Sequence, residues 1–426
     1  MKTHPATPRI FYGYIIVVVA FLFQAVGWGV FNSIGLFFKP FMDEFEWSRA
    51  LISSVFSLAI LVMGLSSILQ GRLSDRFGPR IVMAVGGVFL GIGYLLMSRV
   101  SHFWHLYLYC SIIVGFGISG TDVVILSTTS RWFVRFRGLV TGIAKVGTGV
   151  GMLVMPLLLN WFMSHYGWRA TFFSLGIFSL IIYVCLAQFL VRDPGKMGLW
   201  PDNEKRAHHV QGSEPEIGLN TQQAVRTMSF WAICVAYILA FFCLATMLLH
   251  VVPHVIDMGF SPTNAARILS AVGAVSIIGR FVMGGTADRI GNKSVLVICF
   301  VCLAMGLLWL QIADRFWMMV VFAFLHGFAH GGFFAIVAPI IAEYFGTRSH
   351  GELFGIVTFV STFGAAAGPI LAGFVFDATE SYQVVFRILV GVSVVGLGCA
   401  ISLKRSWAIA CLTASTASNT VPHSML

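Results

Sequence analysis

The chain has 426 residues, of which 58% are hydrophobic and only 10% charged, with a formal net charge of +10 and a mean hydropathy of +0.88. A soluble domain of this length cannot hide that much apolar surface, so most of it must face lipid. The positive residues cluster in loops between apolar segments, which is the pattern of membrane topology and not of a nucleic-acid surface.

Runs long enough to cross a bilayer, each about 20 residues, are predicted near 12–38, 48–70, 80–99, 105–130, 138–162, 169–191, 229–251, 263–286, 293–313, 316–342, 351–376 and 384–403. Lys2 and Arg9 precede the first run, and no small-residue cleavage site follows it, so it reads as a retained span. Turn and charge signals mark the breaks, as in Phe77-Gly78-Pro79-Arg80 and Tyr166-Gly167-Trp168-Arg169. The one long polar segment, Arg192 to Arg226, separates six spans from six and reads as a cytosolic linker. The expected organisation is all-α and integral to the membrane. A six-helix bundle over 1–191, a linker over 192–228, a second six-helix bundle over 229–405 and a low-charge tail over 406–426 make up the chain. The eight cysteines, Cys110, Cys185, Cys234, Cys243, Cys299, Cys302, Cys399 and Cys411, lie mostly inside apolar runs and read as packing. No cofactor is expected.

Orientation follows from the cations. With both termini in the cytosol, that side collects Arg72, Arg76, Arg80, Arg131, Arg135, Arg137, Arg289, Lys293, Arg348, Lys404 and Arg405. The outer loops keep Lys39, Arg49, Arg99, Arg169, Arg267, Arg315 and Arg387. That asymmetry places the termini inside.

The two halves share a framework. Gly71, Asp75, Arg76, Gly78 and Arg80 recur as Gly284, Asp288, Arg289, Gly291 and Lys293, each displaced by 213 residues. The same displacement carries Ser48 to Ser261, and Gly138, Gly142, Gly151 and Pro156 to Gly351, Gly355, Gly364 and Pro369. Such halves read as diverged duplicates, an architecture that commonly places a substrate site at the repeat interface near the bilayer midplane.

The run GRLSDRFGPR resembles the loop 2–3 signature of the major facilitator superfamily, and its echo at Gly284 to Lys293 strengthens the match. Three further pieces resemble the monocarboxylate porter and oxalate–formate antiporter branch. They are the first span with Trp28, Gly29 and Gly35, the run RWFVRFRGLVTGIAKVGTGVG, and LHVVPHVIDMGFSP. The resemblance implies a twelve-helix, two-bundle transporter whose Asp75 docks against the neighbouring bundle and locks the outward-facing state. On the residues alone, the motif could equally make a tight reverse turn held by Gly78 and Gly291. A carboxylate at a helix C-terminus opposes the helix dipole, so Asp75 and Asp288 should each find a cationic or helix-N-terminal partner.

Three full charges fall well inside predicted spans: Asp122, Lys145 and Arg280. Each costs roughly 2.5–3.5 kcal/mol at mid-helix on insertion scales, so each should have a partner or a use. Counted from the cytosolic markers Arg131, Arg137 and Asp288, all three lie about 12–14 Å deep. A guanidinium matches two carboxylate oxygens and stays charged, which suits Arg280 to an organic anion. The branch resemblance implies the same, because its porters carry an anion-binding arginine in the eighth span. Snorkelling to the surface is the alternative. Lys145 and Asp122 fit either a structural ion pair or a functional split. In the split, Lys145 is a second cation beside Arg280 and Asp122 carries a coupling proton. The resemblance implies facing fifth and eighth helices, but the oxalate antiporters' lysine in the eleventh span has no counterpart in Gly351 to Phe376.

His250 and His254 are four residues apart, as are His326 and His330, a spacing that puts both rings of a pair on one helix face. No acidic or thiol partner accompanies either pair, so metal binding is not expected. His250 and His330 suit hydrogen bonding to substrate or, for His250, proton coupling, against a satisfied helix contact. Trp28, Asn32, Phe333, Phe334 and Phe359 are candidate pocket walls, with helix packing as the alternative.

These observations predict a membrane transporter, not an enzyme. The expected activity is proton-coupled symport of a monocarboxylate such as lactate or pyruvate by alternating access. The alternative is a dicarboxylate exchanger using Lys145 and Arg280 together. Expected partners are a small organic anion, protons and the lipid bilayer, with a functional monomer in the inner (plasma) membrane.

Overall fold

A computed structural model describes residues 11–133, 137–203, 218–346 and 348–404. Lys2, Arg9, Arg135, Arg405, the middle of the polar linker over 204–217 and the tail over 406–426 lie outside the described residues. Eleven helical stretches are long and apolar enough to cross a membrane: α1 (Tyr12–Phe45), α2 (Arg49–Phe77), α3 (Pro79–Met97), α4 (Phe103–Trp132), α5 (Leu139–Gln188), α6 (Met228–Asp257), α7 (Pro262–Ile290), α8 (Asn292–Trp309), α9 (Phe316–Phe345), α10 (His350–Thr379) and α11 (Tyr382–Ser402).

Fifty residues of α5 make about 75 Å of helix, more than twice the apolar thickness of a bilayer. The stretch is broken at Gly167, whose φ of 77° and ψ of 168° are not helical. Its two arms are the fifth and sixth predicted spans, and the twelve expected crossings are all present as helix. Two others are irregular inside: α1 passes through a 3₁₀ turn at Ile34–Phe37, and α4 through a π-helical stretch at Tyr107–Val114.

The duplication extends to the backbone. α2 and α7 both run 29 residues, and their bounds differ by one displacement (262 − 49 = 290 − 77 = 213). Each ends at a glycine of positive φ, Gly78 at 87° and Gly291 at 85°. Only a residue without a Cβ turns there without strain. Pro79 then opens α3, where its missing N–H costs nothing.

The residues cluster into two compact units. The first comprises Met1–Trp47, Ser54–Val210 and Ser261–Gly273, and the second Ser48–Ser53, Gln211–Phe260 and Ala274–Leu426. Within the first, α1 lies so close to the first arm of α5 that a Cβ on Gly151 would run into the Ala25 carbonyl and the Gly29 backbone. Within the second, Gly364 on α10 meets the Ile238 carbonyl of α6 in the matching way. By contrast, a Cβ on Gly142, Gly351 or Gly355 would meet nothing within 4 Å, so those repeated glycines are not packing contacts. The end of the linker is tied down in the second unit. Leu219 N–H donates to the Phe345 carbonyl at 2.9 Å, and Thr221 Oγ1 donates to Glu352.

Two glycine variants should therefore behave oppositely. Gly142→Ala, placed in open space, should raise the thermal unfolding temperature in detergent or leave it unchanged, consistent with up to about 1 kcal/mol of helix propensity. Gly151→Val should lower stability by about 1–3 kcal/mol through overpacking. Equal unfolding temperatures for the two variants would contradict the packing described.

Candidate functional site

In the first unit a single carboxylate on α4 gathers side chains from two other helices. Asp122 Oδ1 on α4 accepts from Lys145 Nζ on α5 at 2.5 Å. It also accepts from Gln24 Nε2 at 2.7 Å and from Trp28 Nε1 at 3.3 Å, both on α1. Gln24 and Trp28 are four residues apart and so share one helix face. Gln24 also donates to the Thr121 carbonyl at 3.0 Å and accepts from Thr148 Oγ1 at 3.0 Å. The ammonium and the carboxylate keep 25% and 35% side-chain exposure, so the pair borders open space within its unit. Gln24 was not anticipated from sequence. The available signal was a polar residue one helical turn before Trp28 in an otherwise apolar span.

In the second unit Arg280 is half-buried on α7, its guanidinium carbon 5.7 Å from the centroid of the Phe334 ring on α9. Phe334 packs against His330 at 5.0 Å and against Phe241 of α6 at 5.1 Å. A cation and three rings therefore form one cluster. Phe333 points elsewhere: it is fully buried, with Phe300 4.9 Å away, and Tyr237 donates to its carbonyl. Of the wall candidates in this unit, Phe334 reaches the arginine and Phe333 is core. Phe359 on α10 is half-buried, edge-on to Phe363 at 5.5 Å. Asn32 is half-buried at the last helical position before the 3₁₀ turn of α1.

His250 lies in a different neighbourhood. Its Nδ1 is 2.9 Å from Tyr382 Oη, and its Nε2 is 3.1 Å from Ser53 Oγ and 3.0 Å from the Pro369 carbonyl. Tyr382 in turn accepts from Arg49 Nη1 at 2.7 Å. Arg49 was read from sequence as an outer-loop charge, yet it is 5% exposed. It pairs with Asp257 at 2.7 Å and lies 3.7 Å over the Phe376 ring. Asp377 accepts the backbone N–H groups of Arg49 and Ala50 at 3.1 and 2.8 Å, a carboxylate at a helix N-terminus where the dipole favours it. The correction has a plain cause. Residues 48–53 belong to the second unit, and nothing in their own sequence says so.

The framework motif also resolves. Asp75 pairs with Arg131 at 2.7 Å, and Arg192 donates to its carbonyl at 2.7 Å. The expected cationic partners are therefore present, both in its own unit. With the Asp75 side chain 63% exposed, that pair is worth at most about 1 kcal/mol. Gly71 faces Val123, and the Arg76 guanidinium lies 5.2 Å from the Phe77 ring. In the second copy, Asp288 and Arg289 are exposed. There Glu343 accepts from Asn292 N and Nδ2 at the start of α8. Arg80 grips Gln188 Oε1 at 2.8 Å, while its counterpart Lys293 donates to the Leu403 carbonyl at 2.7 Å. In both copies that cation ties the motif loop to the end of the last helix of its half.

The Major Facilitator Superfamily model matches residues 16–286 and 233–406 of this chain. Monocarboxylate transporter 13 of Rattus norvegicus is 28% identical over 411 residues, covering 95% of this chain and 91% of that protein. Monocarboxylate transporter 11 of Homo sapiens is 25% identical over 387 residues, covering 88% and 80%. Among solved structures, the nucleoside transporter NupG matches with a TM-score of 0.73 at 15% identity, over 92% of this chain and 100% of that one. A bacterial homologue of the human lysosomal transporter Spinster, inward-facing and occupied, matches with a TM-score of 0.68 at 16% identity, over 98% of each chain.

The Asp122–Lys145 contact predicts coupling in a double-mutant cycle. Lys145→Ala should destabilise the protein by more than it does in an Asp122→Ala background, with an interaction energy of about 0.5–3 kcal/mol by thermal or chemical unfolding in detergent. Additive changes would show that the two side chains do not support one another.

Proposed function

The chain belongs to the Major Facilitator Superfamily, whose members are transporters and not enzymes, and from that premise we propose that it carries small monocarboxylates together with protons. The observation that carries this reading is Arg280. It is a half-buried guanidinium in the middle of an apolar span, leaning on an aromatic ring with a histidine beside it. Arginine offers a carboxylate two parallel N–H donors. Phe334 and Phe241 offer the short carbon chain an apolar surface. The resemblance to two monocarboxylate transporters along nearly the whole chain supports the same substrate class.

The alternative with Lys145 and Arg280 as paired cations asks Lys145 to present a net positive charge. Lys145 instead makes a 2.5 Å ion pair with Asp122, and together they are neutral. That favours one negative charge on the substrate over two. We assign the coupling proton to Asp122, a partly exposed carboxylate paired with the Lys145 ammonium. His250 is reassigned to the Arg49–Tyr382 network, which engages both of its ring nitrogens. Trp28 and Asn32 remain proposed substrate contacts in the first unit, and His330 and Phe359 in the second. Asp75, Arg76, Gly71 and Gly78, with Asp288 and Arg289, serve as the gating motif. The protein is read as a monomer in the plasma membrane, and the cation asymmetry of its loops supports cytosolic termini.

Uptake of labelled lactate or pyruvate into proteoliposomes tests Arg280. Arg280→Ala should lose at least about 10- to 100-fold in kcat/KM, the scale of a charge-assisted hydrogen bond pair. Arg280→Lys should recover only part of it. Full uptake by the alanine variant would remove Arg280 from the mechanism. Asp122→Asn should still exchange labelled for unlabelled substrate across the bilayer but should no longer accumulate it against a gradient when the trans side is made alkaline. Undiminished accumulation would move the proton to another group.

A further inference from the structure

The coupling carboxylate is held by a residue that no charge-based reading singles out. Gln24 is fully buried on α1, and a buried amide is costly unless its polar atoms are matched. It makes three hydrogen bonds, each to a residue beside the proposed site. Nε2 donates to Asp122 Oδ1 and to the Thr121 carbonyl on α4, and Oε1 accepts from Thr148 on α5. The amide cannot be turned end for end, because its nitrogen faces two acceptors and its oxygen faces a hydroxyl. The close approach of α5, where a Cβ on Gly147 would strike the Phe21 carbonyl and crowd Gln24 Cβ, leaves the side chain little room to move.

We propose that Gln24 is the positioning residue of the coupling carboxylate: with Trp28 it holds Asp122 by neutral N–H donors, so that the carboxylate stays oriented when Lys145 turns away. This rests on the assignment of Asp122 made above. Lys145 alone would orient and neutralise Asp122 at once, and its movement would leave a half-buried anion with nothing to hold it. Two neutral donors separate those tasks. Gln24 fixes geometry, Trp28 adds a second N–H at 3.3 Å, and Lys145 supplies the charge. The titratable groups packed around Gln24 are Asp122 on α4, Lys145 on the first arm of α5, and Tyr183 on the second arm. Tyr183 Oη is 3.2 Å from Thr121 Oγ1, and its phenol stays protonated between pH 5 and 8.

Gln24→Glu and Gln24→Leu together test the assignment. A protonated glutamic acid is isosteric with glutamine: it can donate to Asp122 and accept from Thr148, giving up the second bond, to the Thr121 carbonyl. Ionised, it places a second negative charge beside Asp122 with only Lys145 to offset both. Relative to wild type at each pH, Gln24→Glu should take up carboxylate at a near-normal rate around pH 5 and fall at least about 10-fold by pH 8. Its thermal stability in detergent without substrate should follow the same direction, approaching wild type in acid and declining as pH rises. Gln24→Leu should be impaired at every pH, with a profile parallel to wild type. If Gln24→Glu instead runs parallel to wild type across pH in both measurements, the proposal fails. If no variant, wild type included, takes up monocarboxylate while the stability of Gln24→Glu still declines with pH, the substrate reading fails and the placement of Gln24 against Asp122 stands.

Discussion

A full charge inside an apolar span has to be met by something other than water, and the polar residues of this chain are arranged around that requirement. Asp122 meets an ammonium, an amide and an indole N–H. Arg49 meets a carboxylate, a phenol and the face of an aromatic ring. Arg280 leans on Phe334. Each solution draws on helices far apart in sequence, so none can form until those helices lie close together. That is where the glycines enter. Gly151 lets α5 approach the backbone of α1 at Ala25 and Gly29, which brings Lys145 and Thr148 within reach of Gln24 and Trp28.

The duplication separates framework from function. The motif loops, the positive-φ glycines and the cation that ties each loop to the last helix of its half are repeated at one displacement. The charges inside the spans are not. Displaced by 213, Asp122 corresponds to Ala335, Lys145 to Thr358, and Arg280 to Ser67. The first copy carries an internally neutral pair and the second a cation on an aromatic shelf. Divergence of this kind keeps the mechanics of two similar helical bundles while giving each its own chemistry. Loss of Arg131's counterpart, which is Tyr344, shows the framework itself wearing. Asp288 is left exposed, and Glu343 takes over as the carboxylate at the start of α8.

Spans, repeat and family were legible in the sequence because each is a property of one helix or of two aligned segments. The pairing of Lys145 with Asp122 was legible as one of two alternatives, since both lie on consecutive spans at similar depth. What sequence reading missed depends on which face of a helix looks at which neighbour. His250 read as either a cavity residue or a satisfied helix contact, and its ring is engaged by Tyr382, Ser53 and a carbonyl. Arg49 looked like a loop charge but is buried because the first turn of α2 clusters with the second unit. Gly142 and Gly151 carry the same spacing signal, yet one faces open space and the other a carbonyl. Gln24 has no charge to draw attention, and its importance comes entirely from its partners.

The crowding at Asp122 Oδ1 bears on how a proton and an anion could travel together in the proposed cycle. Asp122 Oδ1 already accepts from three donors, so a proton binding that oxygen must displace one of them, whereas a proton binding the second carboxylate oxygen need not. Gln24 is locked by Thr148 and the Thr121 carbonyl and Trp28 is a rigid ring, so of the three donors the long side chain of Lys145 adjusts most readily. Asp122 and Lys145 together are neutral while the carboxylate is ionised and carry one positive charge once it is protonated. With Arg280 counted, a monoanion entering with that proton returns the site to the net charge it has when empty and unprotonated, whereas a dianion does not. The same contact that removes Lys145 as a standing second cation therefore supplies a reason for one proton to accompany one carboxylate.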